Sequence, residues 1–550
     1  MRREMAASSA TPTGAVSGDV AALVDRARDF VVGDVLPNHA ALERGEHDLL
    51  RAMLARAGSV ALLEVDRACE PAAEPLAAQL SFAVAAAAHS SLASAAIARC
   101  GTDALRATLE ARSRGERIGA FAMTEPESGS DVLAMRARAR RDGRDWIVQG
   151  RKQLVTNAAI CDDVVVFAHA DAAGPIALVV PRDAPGVTIG APQPTVGLRG
   201  TSTCAIALDG VRVPPEALLD EPGRGHRAAL DVLPRARLRS GTLALGHARF
   251  LTAVTARHAR ERRQFGQPIA AFGIVAAKLG EMVARAFVVE SVLRRAAAEL
   301  DDGDPDELLP LASACKVLGT EMVARVTDLA LAVFAGGGYL RGSWAEQSLR
   351  DVRGLRLYDG TNEIARRSAY GALRKMVVRG TLVLDQEVQG DAANRERTSA
   401  RSLSAWLRVV LRSSVRTASG GGDAAMAGRD ELEGAIADLT FASAASDAAQ
   451  ARARAATAGF SSDAHLVALA ADAGVLLAYQ DVMPGSQGLR VALGREVPAL
   501  PLPTGAGPAL DLPAALVALG RAAVEVGRDP LAPYDFPVLP NGFDASDARA

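Results

Sequence analysis

The chain has 550 residues, 49% of them hydrophobic, which is enough for three or four domains with cores of their own. Its 62 basic and 64 acidic side chains nearly cancel, which excludes an overall field that would attract nucleic acid or an anionic membrane. The five cysteines lack C-x-x-C spacing, which argues against a disulfide framework or a metal site. They favour a reducing compartment, the cytoplasm or, in a eukaryote, the mitochondrial matrix. Charges, Gly or Pro interrupt the apolar runs, so no membrane span is expected.

Helical periodicity dominates the first part of the chain. Ala, Leu, Arg and Glu recur with helical spacing from residue 20 to about residue 118, so we place an N-terminal helical domain at residues 18–118. Residues 77–99 are apolar nearly all round, which predicts a buried helix. His89 lies in that helix without a second metal ligand at helical spacing, so we expect a core histidine or one that lines a ligand tunnel.

A change in texture at residue 119 predicts a central β domain at residues 119–216. Short runs rich in Val, Ile and Thr are separated there by Gly, Pro and Asp, which is typical of strands. The predicted strands are residues 146–148, 163–168, 176–180, 186–189 and 203–208.

Helical spacing returns after residue 217, and several long helices with short links predict a four-helix bundle at residues 217–380. The predicted bundle helices are residues 226–233, 236–260, 274–300, 308–334 and 342–350. Residues 381–550 predict a mostly helical extension with a tail rich in Pro and Gly after Pro484. Its predicted helices are residues 398–416, 430–458, 463–479 and 516–527, with a flexible linker at 418–428.

The bundle contains a break between two helices, in the stretch L-R-L-Y-D-G-T-N-E-I that begins at Leu355. The turn Asp359-Gly360-Thr361 presents one carboxylate, and Asn362 is placed to cap the next helix. Free backbone N–H groups and the Thr361 hydroxyl would face a ligand carbonyl or a phosphate. By itself, an Asp-Gly-Thr turn is more often a solvated loop.

Two segments of the β domain place small hydroxyl residues at predicted turns. They read F-A-M-T-E-P-E-S-G-S-D at residues 121–131 and G-R-K-Q-L-V-T-N-A at residues 150–158. Such side chains and exposed N–H groups suit the pyrimidine edge and the phosphates of a flavin nucleotide. For T-E-P alone, a polar β-turn is the simpler interpretation.

Two segments of the bundle also carry groups suited to a nucleotide. In E-R-R-Q-F-G-Q-P-I-A-A-F, residues 261–272, Arg262 would neutralise a pyrophosphate, Gln264 would bond a phosphate or adenine, and Phe265 would form an apolar wall. E-R-R alone is typical of a solvated helix end. The glycines of A-G-G-G-Y, residues 335–339, permit close backbone approach and positive φ.

Together these segments resemble the signatures of the acyl-CoA dehydrogenase family. Residues 196–203 and 209–214 match the same family as segments of structure. Four positions depart from its pattern: Asp359 replaces the usual catalytic Glu, Leu154 a Trp on the flavin ring, Ala335 a Gly, and Ala332 a Gln that bonds adenine. Losing the aromatic ring removes a stacking contact of about 0.5–1.5 kcal/mol. Some relatives carry the catalytic Glu where this chain has Ala236, so Asp359 is the base that the resemblance supplies.

The resemblance implies a mostly α fold with a central β domain, a four-helix bundle and added C-terminal helices. It implies FAD as cofactor, no metal, and a homodimer, since residues 261–272 of family members reach the FAD of a neighbouring subunit. The implied FAD-binding residues are Met123, Thr124, Ser130, Leu154, Thr156, Arg262, Gln264, Phe265, Gly336 and Thr361. The implied substrate-binding residues are Ser130, Arg237, Tyr358 and Gly360. From the sequence alone, Arg237 fits a surface ion pair equally well.

The implied reaction is α,β-dehydrogenation of an acyl-CoA or acyl-carrier-protein thioester in fatty acid or other lipid metabolism. Asp359 would take the α proton, the β hydrogen would leave as a hydride to flavin N5, and an electron-transfer flavoprotein or similar acceptor would receive the electrons. Two alternatives stay open. One is a specialised flavoenzyme or oxidase of this fold acting on a carrier-tethered substrate, and the other is a non-catalytic homologue that serves as an assembly partner.

Overall fold

The computed structural model describes residues 18–64, 73–170, 173–300, 305–379, 429–458, 464–493 and 512–526. In these ranges the chain is mostly helical, with one central β sheet and additional helices near its C-terminus. The predicted fold class is therefore confirmed, whereas the domain boundaries stay predictions. The predicted helix at 398–416 and the linker at 418–428 lie outside the described residues.

Eight short helices form the N-terminal part, and π-helical turns at Val31–Val35 and Ala88–Ser94 interrupt the helical run. The helices are α1 Gly18–Phe30, α2 His39–Glu43, α3 His47–Ser59, α4 Ala73–Leu76, α5 Leu80–Ala87, α6 Ala95–Cys100, α7 Asp103–Arg106 and α8 Leu109–Ser113. His89 accepts a hydrogen bond from the Gly119 N–H at 3.0 Å and lies 3.0 Å from the Arg112 carbonyl oxygen. Burial lowers its pKa to about 4, as expected for a neutral core histidine.

One helical stretch of the described chain, Leu80–Cys100, is long and apolar enough to cross a membrane by length and composition alone. The expectation that no run reaches that length is wrong here, because no charge, Gly or Pro falls between Leu80 and Arg99. In the structure, 89% of its apolar 18-residue stretch is buried inside the protein, so it packs as part of the core.

The central sheet has eight strands in the order β6-β7-β3-β2-β4-β5-β8, with β1 pairing in parallel with β4. Its strands are β1 Gly119–Ala122, β2 Arg138–Asp142, β3 Asp145–Val155, β4 Asp163–Ala170, β5 Gly174–Pro181, β6 Val187–Pro192, β7 Cys204–Val213 and β8 Leu218–Leu219. All five predicted strands are present. Strand β2 was not predicted because its sequence R-A-R-R-D buries Ala139 alone, which leaves no apolar alternation to recognise.

Long helices build the bundle, and two of the predicted helices prove to be one. The bundle helices are α9 Gly225–Glu261, α10 Gly273–Leu300, α11 Pro305–Phe334, α12 Trp344–Leu355 and α13 Asn362–Arg379. The predicted break between residues 233 and 236 is wrong, because α9 continues through Pro234. Pro234 and the following turns are buried, so tertiary packing holds the helix together despite the lost backbone hydrogen bond. A small hairpin of β9 Arg263–Gln264 and β10 Gln267–Pro268 follows α9.

Three further helices pack on the bundle, mainly against α10. They are α14 Arg429–Ala458, α15 Ala464–Leu493 and α16 Leu512–Val526. Helix α15 runs beyond the predicted end at residue 479 and continues through Pro484. The contact of α10 with α16 is reciprocal: a Cβ atom on Gly280 would lie 1.7 Å from the Leu516 carbonyl oxygen, and one on Gly520 would lie 1.7 Å from that of Ala276. Only glycine permits this backbone approach.

A chain of buried ion pairs joins the N-terminal helices, the bundle and the C-terminal helices. Arg249 on α9 donates to Glu74 at 2.6 Å and to Glu290 on α10 at 2.7 Å. Arg452 on α14 donates to the same Glu290 oxygen at 2.5 Å. Burial acts to raise the pKa of Glu290, but Arg249, Arg452 and Arg294 together lower it to about 2. The three parts of the chain therefore share one charged centre.

Candidate active site

The predicted carboxylate lies at a tight turn between α12 and α13. Asp359 and Gly360 both have left-handed backbone conformations, with φ of 56° and 80°. Asp tolerates this conformation better than most residues, and Gly adopts it without steric cost. The Asn362 N–H donates to the Arg356 carbonyl at 3.0 Å and closes the turn.

The start of α13 differs from the prediction in its capping residue. The Thr361 hydroxyl accepts a hydrogen bond from the Ile364 N–H at 3.3 Å, so Thr361 is the N-cap. Asn362, the predicted cap, is buried and donates instead to Thr320 at 3.0 Å and Glu321 at 2.8 Å on α11. These bonds fix the start of α13 against the bundle.

The Asp359 side chain is partly buried and faces three polar groups. Ser240 on α9 donates a hydrogen bond to Asp359 Oδ2 at 2.9 Å. Burial raises the pKa of Asp359, while this hydrogen bond and the charges of Lys316 and Arg237 act to lower it. The result is a carboxylate whose basicity is set by its surroundings, as a proton-accepting group requires.

Arg237 is 4% exposed, so the alternative of a surface ion pair is wrong. It donates to the Ser313 hydroxyl at 2.8 Å and reaches the Asp359 carbonyl oxygen at 3.4 Å. Burial lowers the pKa of Arg237 to about 10, while the charge of Asp359 opposes that shift. The Tyr358 hydroxyl, also in the site, is buried and lies close to Ser240.

Ser240 and Lys316 are site residues that the sequence did not single out. Lys316 donates to the Gly360 carbonyl at 2.5 Å and to the Arg356 carbonyl at 3.4 Å. The available signal was a lysine in the otherwise apolar run L-A-S-A-C-K-V-L of α11, where a charged residue is rarely buried without a partner.

The structure brings the two predicted segments of the β domain together. The Gln153 N–H donates to the Thr124 carbonyl at 3.0 Å, and Lys152 Nζ donates to the Met123 carbonyl at 3.1 Å. Lys152 also forms a buried ion pair of 2.7 Å with Glu125, which the sequence analysis did not predict. Thr156 follows on the same strand end, and Ser130 is exposed on the loop after Glu125.

Leu154 occupies an unusual position in β3. Its backbone is left-handed with φ of 56°, at an irregularity in the pairing with β7 between Lys152 and Val155. This turns a large apolar side chain outward, 55% exposed, beside Thr156. An outward apolar surface here fits a ring-bearing ligand such as a flavin.

The residues predicted to bind the distal part of the nucleotide make only local contacts. Arg262 ends α9, and Gln264 donates to the neighbouring Arg263 carbonyl at 2.6 Å. Phe265 and Gly266, with φ of 50° and 81°, form the two-residue turn of the β9–β10 hairpin. Phe265 is 93% exposed at its tip. The hairpin therefore presents its side chains outward.

The glycine-rich turn departs from one expectation. It forms a short 3₁₀ turn, Ala335–Tyr339, in which Gly336 is exposed with open space around it. The positive φ expected for its glycines occurs instead at Ala335, at 51°. This is the position where the family usually has Gly.

Residues 196–203 dock the sheet onto α12, just before the Asp359 turn. The Leu198 N–H donates to Asp351 Oδ1 at 2.6 Å, and a Cβ on Gly197 would lie 2.3 Å from the Arg350 carbonyl oxygen. Burial raises the pKa of Asp351 to about 7, which the Leu198 hydrogen bond opposes. Within the described residues, no group of three or more His, Cys, Asp or Glu side chains is arranged to hold a metal ion.

Comparison with known proteins agrees with this geometry. Residues 120–211 match the middle domain of acyl-CoA dehydrogenases, and residues 223–373 match their C-terminal domain. A probable acyl-CoA dehydrogenase of Bacillus subtilis is 30% identical over 66% of this chain and 66% of its own length. A second, YngJ, is 32% identical over 56% of this chain and 80% of its own. The human very long-chain specific acyl-CoA dehydrogenase is 33% identical over 51% of this chain and 44% of its own, so the chain spans less than half of that relative.

Solved structures show the same fold over most of the chain. The acyl-CoA dehydrogenase of Bacillus anthracis complexed with FAD superposes with a TM-score of 0.85, covering 94% of this chain and 97% of its own at 24% identity. The family match thus places the protein in the class of FAD-dependent oxidoreductases, and the predicted class and cofactor are confirmed at the level of the family. The chain belongs to the acyl-CoA dehydrogenase family.

Proposed function

We propose that this protein is an FAD-dependent oxidoreductase that removes one hydrogen each from the α and β carbons of an acyl thioester. The observation that carries the proposal is Asp359, a carboxylate at a left-handed turn. Burial raises its pKa, while the Ser240 hydrogen bond and the charges of Lys316 and Arg237 act on the same group. A thioester α-hydrogen is weakly acidic, so its removal requires a base held in this kind of environment.

The residues present fit a flavin. Leu154 offers the apolar surface for the ring, and the main chain of Met123 and Thr124 lies next to it through Lys152 and Gln153. The residues that would hold FAD within this chain are Met123, Thr124, Ser130, Leu154, Thr156 and Thr361. Gly336 would lie near the adenine, and Arg262, Gln264 and Phe265 would hold the FAD of a second copy. When bound, the flavin supplies a hydride acceptor for the substrate β carbon.

Asp359 takes the α proton in this mechanism. Its main-chain N–H, together with donors on the cofactor, would stabilise the charge that develops on the thioester oxygen. Asp is one methylene shorter than the usual Glu, and a misplacement of about 1 Å costs roughly a hundredfold in rate. The hydrogen bond from Ser240 fixes the direction of the short side chain and limits that loss. Arg237, Tyr358 and Gly360 are the residues that would contact the acyl thioester.

The test is anaerobic reduction of the bound flavin by acyl thioesters. We expect a panel of acyl-CoA and acyl-carrier-protein thioesters to bleach the flavin absorbance, and Asp359→Asn to reduce the rate by at least a thousandfold while FAD stays bound. Glu299→Gln, an exposed carboxylate on α10, is the matched control and should retain the rate. Equal rates in the wild type and in Asp359→Asn would refute the assignment of the base.

The partners and setting belong to the same proposal. We propose an electron-transfer flavoprotein or similar acceptor, a homodimer, and a cytoplasmic role in fatty acid or other lipid metabolism. The human and bovine relatives named for very long and short chains support lipid substrates in general. The thioester panel also distinguishes an acyl-carrier-protein substrate from an acyl-CoA substrate.

A second candidate rests on Leu154 and Asp359, the two departures inside the site. A missing aromatic plate and a shorter base favour a specialised flavoenzyme, or an oxidase that passes electrons to oxygen. Oxygen uptake in the presence of thioester, without an added acceptor, would identify it. If the protein purifies without FAD and shows no thioester oxidation after FAD is added, the result would instead support a non-catalytic assembly partner.

A further inference from the structure

A fully buried lysine lies directly beneath the proposed catalytic turn. Lys316 on α11 has no exposed surface, and its Nζ donates to the carbonyl oxygens of Gly360 and Arg356, at 2.5 and 3.4 Å. These two carbonyls lie on either side of Asp359 in the chain. One ammonium group therefore ties together both ends of the segment that presents the base.

Packing alone does not explain a lysine at this place. Burying an ammonium group is costly unless hydrogen bonds and opposite charge compensate it, and a hydrophobic residue of similar length would fill the space without that cost. The compensation comes from the turn itself, through two carbonyls and the charge of Asp359.

The charged groups around Lys316 come from each neighbouring element. They are Asp359 on the turn, Arg237 on α9, Glu321 on α11 and Glu363 on α13. Burial lowers the pKa of Lys316 to about 8, and Asp359 acts to raise it, so the side chain is still mainly protonated at neutral pH. In turn, the charge of Lys316 favours the ionised form of Asp359.

The backbone at Asp359 needs support of this kind. A non-glycine residue with φ of 56° is held in a sparsely populated conformation, which persists only where the surrounding structure fixes it. The Asn362 N–H and Lys316 Nζ both donate to the Arg356 carbonyl oxygen. Lys316 Nζ also donates to the Gly360 carbonyl oxygen, which links the two ends of the turn.

We propose that Lys316 is a positioning residue, whose ammonium group fixes the main chain on both sides of Asp359 and holds the carboxylate where it takes the substrate proton. This inference rests on the proposed function for its kinetic consequence, but not for its structural one. The two consequences can be measured separately.

The kinetic test compares Lys316→Met, Lys316→Gln and Lys316→Arg in single-turnover flavin reduction by a thioester that reduces the wild type. Met and Gln remove the charge, so the acid limb of the pH–rate profile should move up by about one unit, and the rate on that limb should fall by up to about tenfold. Arg retains the charge and should keep the acid limb in place even if the rate falls. Lys278→Met, on α10, is the matched control.

The structural test is amide hydrogen exchange of residues 356–362, which needs no substrate. We expect at least tenfold faster exchange in Lys316→Met and no change in Lys278→Met. If Lys316→Met fails to fold, Lys316→Gln takes its place. An unchanged exchange rate, or an acid limb that stays in place when the charge is lost, overturns the inference. A wild type that no thioester reduces would instead refute the proposed function and leave the exchange result to decide on Lys316.

Discussion

The hydroxyl of Ser240 donates a hydrogen bond of 2.9 Å to the carboxylate of Asp359, from a helix that lies 119 residues earlier in the chain. This bond stabilises the ionised form of the proposed base. Ser240→Ala should therefore raise the pKa of Asp359 further and move the acid limb of flavin reduction up by about one unit. The pH dependence of single-turnover reduction measures the shift.

Ser291→Ala provides the control for that experiment. Ser291 is a buried serine on α10 whose hydroxyl donates only to the Phe287 carbonyl one turn back. Its removal should leave the pH profile unchanged. An equal shift in both variants would show that the effect comes from general loosening of the bundle.

Leu154 is open to an added aromatic ring, since its side chain is 55% exposed beside Thr156. Leu154→Trp should tighten FAD binding by about two- to tenfold, the equivalent of one stacking contact. Titration of the apoprotein with FAD gives the Kd. Leu230→Trp, at a surface position on α9 with 54% exposure, should have no effect, and weaker FAD binding in Leu154→Trp would contradict the assignment of this face.

Glu290 pairs with the buried Arg249 and the partly buried Arg452, so removing its charge leaves both arginines without their shared partner. Glu290→Gln should lower the free energy of unfolding by about 3–5 kcal/mol. Chemical denaturation measures it, with Glu299→Gln on the exposed side of the same helix as a near-neutral control.

The same residue predicts a dependence of stability on pH. Because the folded pKa of Glu290 is about 2, below its ordinary value of 4.5, its contribution is complete above pH 4.5 and is lost as the pH falls towards 2. Thermal midpoints of the wild type should fall steeply over that range, and those of Glu290→Gln less so. Parallel curves would argue against this role.

Asp351 predicts the opposite sign. Its folded pKa of about 7 lies above the ordinary 3.8, so its contribution is present at low pH and is lost as the pH rises towards 7. Asp351→Asn keeps the acceptor for Leu198 without the charge. Its stability relative to the wild type should therefore grow between pH 4 and 7 and then level off, by up to about 4 kcal/mol in denaturant titrations at several pH values. A constant difference would mean that Asp351 titrates normally.

Local patterns predicted most of the elements, and the failures have physical causes. Helix α10 begins within one residue of its predicted start, because Gly273 marks the break before a long run of helix-forming residues. Strand β2 buries only Ala139, so its position depends on partners across the sheet and not on its own pattern. The continuity of α9 through Pro234 depends on burial that no local signal carries.

The site shows the same division. Asp359 and Arg237 were found through motif resemblance, since each lies in a recognisable segment. Ser240 and Lys316 lie inside helices, and they contact the Asp359 turn only because α9 and α11 both pack against it. Contacts of this kind follow from the packing of helices and are not written in the spacing of any one segment.

The close contact of α10 with α16 at Gly280 and Gly520 limits which surfaces two copies of this chain can use to associate. The backbones of α10 and α16 touch and leave no room for a third element. The side of α10 that faces α16 is therefore already occupied within one molecule. Any neighbour must approach from elsewhere. A single methyl group at either glycine would force α16 away from α10 and expose the surface between them.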